Sequence, residues 1–259
     1  MVTNKKVVFI TGGTRGIGKQ TARIFAKAGY QLALNYHQNK KQAETFQEEL
    51  MATYHVPVRL YQGNIGSEEE VKQMVQSIYE DFFKLDILIL NAGPFIHENI
   101  KVKDYTTAQW RQMMTTNLDS FFYLIREILP HMEKQNWGRV VSFGYDQIER
   151  VSGWPKRGAY SAAKTGVAAL VRTLAAEEKD YNITVNMICP GDIKADWKET
   201  DINTSRKKNI PNEKRNATGE DISRVVLFLS EENSDYLTGN IINLSGGENI
   251  IARKTKENF

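Results

Sequence analysis

Cysteine is nearly absent from this chain of 259 residues, which contains only Cys189. A single cysteine excludes an internal disulfide and a cysteine-rich metal centre, and the four histidines are too dispersed to form a ligand set. We therefore expect no metal site. The N-terminus also lacks an apolar signal region, and no hydrophobic run approaches membrane-spanning length. These absences predict a protein of the reducing cytoplasm that has no membrane segment.

An excess of charge of one sign is also missing. The chain has 34 Lys and Arg against 31 Asp and Glu, for a net charge of +3, so its composition gives no reason to expect a nucleic-acid partner. What the chain does have is 41% hydrophobic residues, enough to bury a sizeable core. A length of this order is typical of an α/β fold that forms a single domain, here residues 1–259.

A glycine-rich turn near the N-terminus is the most informative stretch. The apolar run Val7–Ile10 reads as a strand that is buried on both faces, and Gly12, Gly16 and Gly18 follow it. A helix over Ile17–Ala28 comes next. Glycine permits the sharp turn from strand to helix and lets backbone N–H groups approach a pyrophosphate at the helix N-terminus. This arrangement predicts a nucleotide-binding site.

The same alternation of apolar runs and amphipathic stretches continues along the chain. It predicts a doubly wound, Rossmann-like α/β domain, in which a seven-stranded parallel sheet has helices on both faces and a site at the carboxyl ends of the strands. The predicted strands are Val7–Ile10, Gln31–Tyr36, Val56–Tyr61, Asp86–Leu90, Gly138–Phe143, Ile183–Ile188 and Ile241–Leu244. The predicted helices include a long one over Thr106–Asn136, interrupted by Pro130, and one over Gly158–Lys179.

Tyr160 and Lys164 are four residues apart in the predicted helix Gly158–Lys179, so both lie on one face of it. A phenol with a pKa near ~10 is a poor acid–base catalyst at neutral pH, and an adjacent ammonium favours the phenolate. The pair therefore indicates a tyrosine that exchanges a proton with a bound substrate. Lys164 could also donate to the ribose of a nucleotide.

These motifs resemble those of the short-chain dehydrogenase/reductase family, over nearly the whole chain. The resemblance rests on Thr-Gly-Gly-Thr-Arg-Gly-Ile-Gly at 11–18, Asn-Ala-Gly at 91–93, Tyr-Ser-Ala-Ala-Lys at 160–164 and Pro-Gly at 190–191. Leu90 replaces the first Asn of the family's Asn-Asn-Ala-Gly, and Ala195 replaces its usual Thr. The resemblance implies that Asn117 holds a water molecule in a proton relay. It also implies a set of cofactor-binding residues: Gly12, Thr14, Arg15, Gly16, Ile17, Gly18, Asn35, Tyr36, Asn64, Ile65, Asn91, Ala92, Gly93, Tyr160, Lys164, Pro190, Gly191 and Ile193.

The end of the second strand indicates which nicotinamide cofactor is used. An acidic residue there favours the free 2′-hydroxyl of NAD, but Asn35, Tyr36 and His37 carry no acid. Arg15 in the glycine turn could pair with the 2′-phosphate. We therefore expect NADP(H).

The family places a serine after the fifth strand, and this chain has none there. Counting forward from Gly138, the position falls on Tyr145, and counting back from Tyr160, it falls on Gln147. Strand alternation would put Ser142 on the opposite face. Tyr145 or Gln147 is therefore expected to replace the serine, or activity on simple ketones is expected to be low. Ser142 stays a candidate if the loop is aligned differently.

The resemblance implies a reductase close to the 3-oxoacyl-[acyl-carrier-protein] reductases, which moves the pro-S hydride of NADPH to a ketone or acyl thioester. Residues 196–219 are a predicted substrate lid. An acyl carrier protein is a weaker expectation, because Asn136 and Tyr181 stand where carrier-docking members have arginines. A protein that senses NADP(H) without catalysis is the alternative. The apolar excess of the long helices and the family resemblance predict a homotetramer.

Overall fold

The computed structural model describes residues 5–95, 98–208 and 215–251. Its centre is a parallel sheet of seven strands in the order β3-β2-β1-β4-β5-β6-β7, so the predicted fold class is confirmed. The strands are β1 (Val7–Ile10), β2 (Gln31–Tyr36), β3 (Val58–Gln62), β4 (Ile87–Leu90), β5 (Gly138–Phe143), β6 (Ile183–Pro190) and β7 (Ile241–Leu244). The strand order reverses direction between β1 and β4. In such sheets, ligands bind at the carboxyl ends of the strands beside this point.

Helices cover both faces of the sheet. Within the described ranges they are α1 (Gly16–Lys27), α2 (Lys40–Tyr54), α3 (Glu68–Phe82), α4 (Thr107–Met114), α5 (Ser120–Gln135), α6 (Gly158–Glu177), α7 (Ile202–Lys207) and α8 (Gly219–Ser230). Several begin where the sequence offers a cap. Ser67, for example, accepts a hydrogen bond from the Glu70 backbone N–H, and Thr218 and Asp221 cap α8 reciprocally.

The core consists of two layers, one on each side of the sheet. Val7 and Phe9 of β1 face the layer that holds α3, α5 and α6, whereas Val8 and Ile10 face the layer that holds α1, α2 and α8. All four side chains are fully buried. A parallel strand that is covered on both faces needs apolar residues at every position, which is why the sequence shows a continuous run there.

The long helix predicted over Thr106–Asn136 is wrong in two respects. It is divided into α4 and α5 by a wider π-helical turn, Thr115–Asp119, and Pro130 lies inside α5 without ending it. Proline removes one N–H, which leaves the carbonyl of Arg126 without its partner. Arg126 and Pro130 both lie on the exposed side of α5, where water can solvate that carbonyl.

The segment predicted as an irregular lid, 196–219, contains a short helix. Asp201 caps α7 by accepting a hydrogen bond from the backbone N–H of Thr204 at 2.8 Å. Arg215 forms two hydrogen bonds of 2.7 and 2.6 Å with Asp221 of α8, so this cation is already paired within the protein. Lys214, another basic residue of the predicted lid, lies outside the described residues.

Candidate active site

The glycine turn between β1 and α1 forms one wall of the site. Gly12 and Gly16 have φ angles of +60° and +57°, a backbone conformation that residues with a side chain rarely adopt. Asn35 of β2 holds the turn in place, because its Oδ1 accepts a hydrogen bond from Gly12 N–H at 3.1 Å and its backbone carbonyl accepts one from Gly13 N–H at 3.0 Å. The turn is therefore rigid and leaves the N-terminus of α1 facing the carboxyl edge of the sheet.

Asn35 and Tyr36, two of the residues expected to bind the cofactor, have buried side chains. Asn35 is 2% exposed, and its Nδ2 donates to the carbonyls of Tyr36, Tyr61 and Gly63. Tyr36 is 6% exposed. Their place in a cofactor site stays a prediction. Arg15, in contrast, is exposed beside the turn.

The end of β4 joins the same turn. Asn91 Nδ2 donates to the carbonyls of Thr11 and Gly12 at 3.0 and 3.2 Å, and the Ala92 N–H donates to Thr11 Oγ1 at 3.0 Å. A Cβ atom added to Gly93 would lie 2.5 Å from Asn117 Oδ1 and 3.3 Å from Lys164 Nζ. Glycine is therefore required at this position, because a side chain would collide with Asn117.

Tyr160 and Lys164 lie one turn apart near the start of α6, as predicted from their spacing. Lys164 is 5% exposed, and burial lowers the pKa of its ammonium to about 8. Burial also raises the pKa of the Tyr160 phenol above its usual value, and the neighbouring Cys189 and Tyr145 add to this effect. Burial thus shifts both groups towards their neutral forms, and the phenolate expected from the Lys164 ammonium stays a prediction.

Asn117 occupies the π-helical turn between α4 and α5. Its Nδ2 donates to the Pro94 carbonyl at 3.1 Å, while its Oδ1 is buried without a hydrogen-bond partner among the described residues. Asn117, Ser142 and Lys164 line a cavity of about 10 Å³, and Ser142 Oγ is unpartnered there too. Such a cavity has the size of roughly one water molecule. The wider turn thus places an amide oxygen beside Lys164.

Tyr145 follows β5, at the position where the family's serine was expected. Its ring packs against Trp154 and Tyr160, with centroid separations of 5.2 and 6.2 Å. Its hydroxyl lies 2.9 Å from Ser161 Oγ and 3.1 Å from Thr165 Oγ1, both on α6. The Tyr145 hydroxyl is therefore engaged by the helix that carries Tyr160.

The two other serine replacements also have defined surroundings. Ser142 lines the small cavity beside Asn117 and Lys164, on the same side of the sheet as α5, α6 and Tyr145. The expectation that it lies on the opposite face is wrong, because β5 ends at Phe143 and strand alternation does not continue to Tyr145. Gln147 has a φ angle of +58°, and its backbone N–H donates to Asn243 Oδ1 at 2.8 Å. Its side-chain Oε1 accepts a hydrogen bond from Asn249. Gln147 is thus tied to the C-terminal part of the chain.

The remaining predicted residues lie around the same edge. Pro190 ends β6, and a Cβ added to Gly191 would lie 2.7 Å from Ser245 Cα, so the close approach of that backbone requires glycine. Ile193 is buried below the lid. Asn64 and Ile65 follow β3, where the Asn64 Oδ1 accepts a hydrogen bond from Gly66 N–H.

Thr14 and Ile17 belong to the glycine turn and the start of α1. Gly18 is the point where this turn packs most closely against Asn91.

One contact of the turn was not predicted from the sequence. The Glu199 carboxylate accepts a hydrogen bond from Gly16 N–H at 2.8 Å and pairs with Lys19 Nζ at 2.9 Å. These partners lower the pKa of Glu199 despite its partial burial. The lid thereby places a negative charge at the first N–H of α1, close to where the phosphates of a dinucleotide are expected.

Glu199→Gln is expected to tighten dinucleotide binding by about two- to fivefold, because a charge at a helix N-terminus is worth about 0.3–1 kcal/mol. Fluorescence titration of NADPH measures the change. Glu49→Gln is the matched control, since Glu49 pairs with Arg23 at 2.9 Å on the neighbouring helix surface. Weaker binding by Glu199→Gln alone would show that the carboxylate supports the site instead of opposing the phosphates.

The glycine turn at the start of α1, Gly93 packed against Asn117, and the Tyr160–Lys164 pair together fit a nicotinamide dinucleotide. They define a nucleotide-dependent oxidoreductase. No group of three His, Cys, Asp or Glu that could hold a metal occurs in the part of the chain that the structure covers, and no helix there is long and apolar enough to cross a membrane.

Comparison with known proteins agrees with this class. A family model described as enoyl-(acyl carrier protein) reductase matches residues 12–249. A protein of Bacillus subtilis (strain 168), which bears the name “Putative oxidoreductase YtkK”, is 37% identical over 246 residues, covering 93% of this chain and 96% of the relative. The 3-oxoacyl-[acyl-carrier-protein] reductase FabG of Staphylococcus epidermidis (strain RP62A) is 33% identical over 245 residues, covering 93% and 98%. The chain belongs to the short-chain dehydrogenase/reductase family.

Solved structures share the fold closely. A Bacillus thuringiensis protein described as a “putative 3-oxoacyl-reductase” has a TM-score of 0.90 at 36% identity and covers 95% of this chain and 99% of its own. An NADPH-dependent 3-quinuclidinone reductase of Rhodotorula rubra has a TM-score of 0.80 at 29% identity, covering 95% and 92%. This chain is therefore an oxidoreductase of the short-chain type that uses a nicotinamide cofactor.

Proposed function

We propose that this protein is an NADPH-dependent reductase of a ketone or a 3-oxoacyl thioester. The observation that carries the proposal is the Tyr160–Lys164 pair of α6, with Lys164 buried, next to Gly93, where any side chain would collide with Asn117. The bound dinucleotide would supply a hydride. Tyr160 would donate its proton to the carbonyl oxygen. Lys164 would hold the nicotinamide ribose and exchange protons with water in the cavity beside Asn117.

The choice of NADPH rests on charge. Arg15 is exposed next to the glycine turn, and no acidic residue follows β2. The related FabG and 3-quinuclidinone reductase are both named as reductases, and the second is named as NADPH-dependent. These observations support a 2′-phosphate contact with Arg15.

Arg15→Ala is expected to weaken NADPH binding by about 10- to 150-fold, because a charge-assisted contact is worth about 1.5–3 kcal/mol, and to leave NADH binding nearly unchanged. Titrating both cofactors against both proteins measures the difference. Equal affinity of the unmodified protein for NADPH and NADH would contradict the assignment.

The proposal also covers the kind of substrate, a 3-oxoacyl thioester, and the acyl carrier protein that would present it. The relation to FabG supports a 3-oxoacyl substrate, and the D-beta-hydroxybutyrate dehydrogenase of Rhizobium meliloti, 30% identical over 256 residues, supports a small 3-oxo acid equally well. An assay of NADPH oxidation with 3-oxoacyl thioesters, free 3-oxo acids and ketones tests the activity. NADPH binding without turnover of any of these compounds would favour the alternative function, a protein that senses NADP(H) without catalysis. The absence of the family's serine supports this alternative.

We also propose a symmetric homotetramer in the cytoplasm, formed by one domain over residues 1–259. Phe122 on α5 and Phe228 on α8 are each 52% exposed, so two helix surfaces present aromatic rings that an oligomer would cover. Light scattering at micromolar concentration is expected to give four times the chain mass. A monomer would contradict this.

A further inference from the structure

We infer that the site acts on electron-poor ketones. A serine and a tyrosine are otherwise expected to meet the carbonyl oxygen, but among the described residues weighed for this role only the Tyr160 hydroxyl is neither bonded to another side chain nor turned into the small cavity beside Asn117. This inference rests on the proposed function and specifies its substrate class. It is carried by the orientation of Tyr145 and by the aromatic rings around Tyr160.

The Tyr145 hydroxyl is hydrogen-bonded to two side chains of α6. Ser161 and Thr165, its two partners, are four residues apart and form a stripe next to the one that carries Tyr160 and Lys164. Tyr145 is only 4% exposed, and its ring is fixed by Trp154. Turning this hydroxyl towards a substrate would break two part-buried hydrogen bonds, each worth about 0.5–1.5 kcal/mol. The hydroxyl therefore stays with α6.

The other two candidates are also occupied or enclosed. Gln147 is held through its backbone N–H and its Oε1 by Asn243 and Asn249. Ser142 faces the closed cavity beside Asn117. Of the residues weighed as replacements for the serine, Tyr145 is bonded to α6, Gln147 is bonded to the C-terminal part of the chain, and Ser142 lines the small cavity.

Hydride transfer to a carbonyl places negative charge on its oxygen. A hydrogen-bond donor to such an oxyanion contributes about 10²- to 10³-fold to the rate, so a site with one donor instead of two needs that stabilisation from the substrate. An electron-withdrawing substituent on the carbonyl carbon supplies it. Burial, which raises the pKa of Tyr160, acts in the same direction, because a weaker acid transfers its proton later and leaves more charge on oxygen.

The reaction balances without a further reactant. A C–H bond of the reduced nicotinamide breaks, and its electron pair forms the new C–H bond at the carbonyl carbon. The carbonyl π electrons move to oxygen, which takes the proton of the Tyr160 hydroxyl, and water restores that proton. The ketone is reduced to an alcohol and the nicotinamide is oxidised.

The rings around Tyr160 indicate the shape of the substrate. Phe95 meets the Tyr160 ring edge-on at 5.0 Å, and Trp154 does so at 6.2 Å. Both rings are half-buried, so they offer flat apolar walls beside the reacting group. A ketone with a planar group on one side fits these walls, which makes aryl ketones suitable probes.

The test is a series of para-substituted acetophenones, from methoxy to nitro, in single-turnover reactions that follow hydride transfer from saturating NADPH. We expect the nitro compound to react at least about 100-fold faster than the methoxy compound, and this ratio to shrink in Tyr145→Ser, where a second donor would stabilise the oxyanion. A difference below about threefold would overturn the inference. No turnover of any ketone despite NADPH binding would instead contradict the proposed reductase, so the two failures are distinguishable.

Two variants of Tyr145 identify the donor directly. Tyr145→Phe keeps the ring and removes the hydroxyl, so the spread of rates across the series should be retained. If this variant loses tenfold or more with every ketone, the Tyr145 hydroxyl donates to the substrate and the inference is wrong. Tyr145→Ser, if it remains folded, should accelerate the methoxy compound more than the nitro compound, because the new hydroxyl supplies the second donor. Because Tyr145→Phe is close in shape to the native residue, the test does not depend on the folding of Tyr145→Ser.

Discussion

Replacing Tyr160 by phenylalanine is expected to lower the single-turnover rate of ketone reduction by about 10²- to 10⁴-fold, the usual contribution of a positioned general acid. In the proposed reaction Tyr160 is the donor to the carbonyl oxygen, because the Tyr145 hydroxyl is bonded to Ser161 and Thr165. The ring of residue 160 remains in the variant, so its packing against Phe95 and Trp154 is kept. NADPH affinity should therefore change little.

The matched control is Tyr79→Phe, which removes the same atom from another buried tyrosine. The Tyr79 hydroxyl has no hydrogen-bond partner among the described residues, and it lies on α3, outside the site. This control should react at the unmodified rate. If Tyr160→Phe also keeps its activity while NADPH is consumed, another group protonates the substrate and the role assigned to Tyr160 is wrong.

Gly18→Ala is expected to have the largest effect on the glycine turn. A Cβ at this position would lie 2.3 Å from the Gly12 carbonyl oxygen and 2.5 Å from Asn91 Nδ2, both far inside normal contact. The backbone would have to open, which would break the hydrogen bond that joins the turn to β4. We expect the free energy of unfolding to fall by about 3 kcal/mol, the melting temperature by roughly 6–12 °C and NADPH affinity with it.

Gly153→Ala is the control for this substitution. No heavy atom outside its chain neighbours lies within 4 Å of a Cβ added there, so the change should leave the melting temperature within about 1 °C, as for an ordinary surface substitution. Thermal unfolding of both variants, with and without NADPH, measures the comparison. A Gly18→Ala protein as stable as Gly153→Ala, with unchanged NADPH binding, would show that the turn has room that the structure does not indicate.

The sequence was sufficient to predict the sheet and the glycine turn, because both depend on local patterns. Strands buried on both faces must be continuously apolar, as β1 is, and a strand that turns at once into a helix needs glycine. The spacing of Tyr160 and Lys164 is likewise a local property of α6. The fold class and the approximate positions of the seven strands followed from these rules.

Directions of side chains at strand ends and in loops were not predictable in this way. Asn35 was expected among the cofactor-binding residues, and the hydrogen bonds of its side chain with Gly12 and Gly63 are contacts that the sequence pattern does not indicate. The sequence places Tyr145 just after β5, but it does not indicate which groups the Tyr145 hydroxyl contacts. Glu199 meets Gly16 across 183 positions of sequence, and no local pattern indicates such a contact. The π-helical turn at Asn117 was missed because its sequence is compatible with a regular helix.

The most direct test of the central claim follows a deuterium atom. The protein is incubated with NADPH that carries deuterium in the transferable position and with 4-nitroacetophenone, and the products are analysed by mass spectrometry. The account predicts one deuterium in each molecule of alcohol, one oxidised cofactor for each alcohol, and loss of both products in Tyr160→Phe. Tight NADPH binding without any deuterated alcohol, from this ketone or from 3-oxoacyl thioesters, would contradict the reductase and leave a nucleotide-binding sensor.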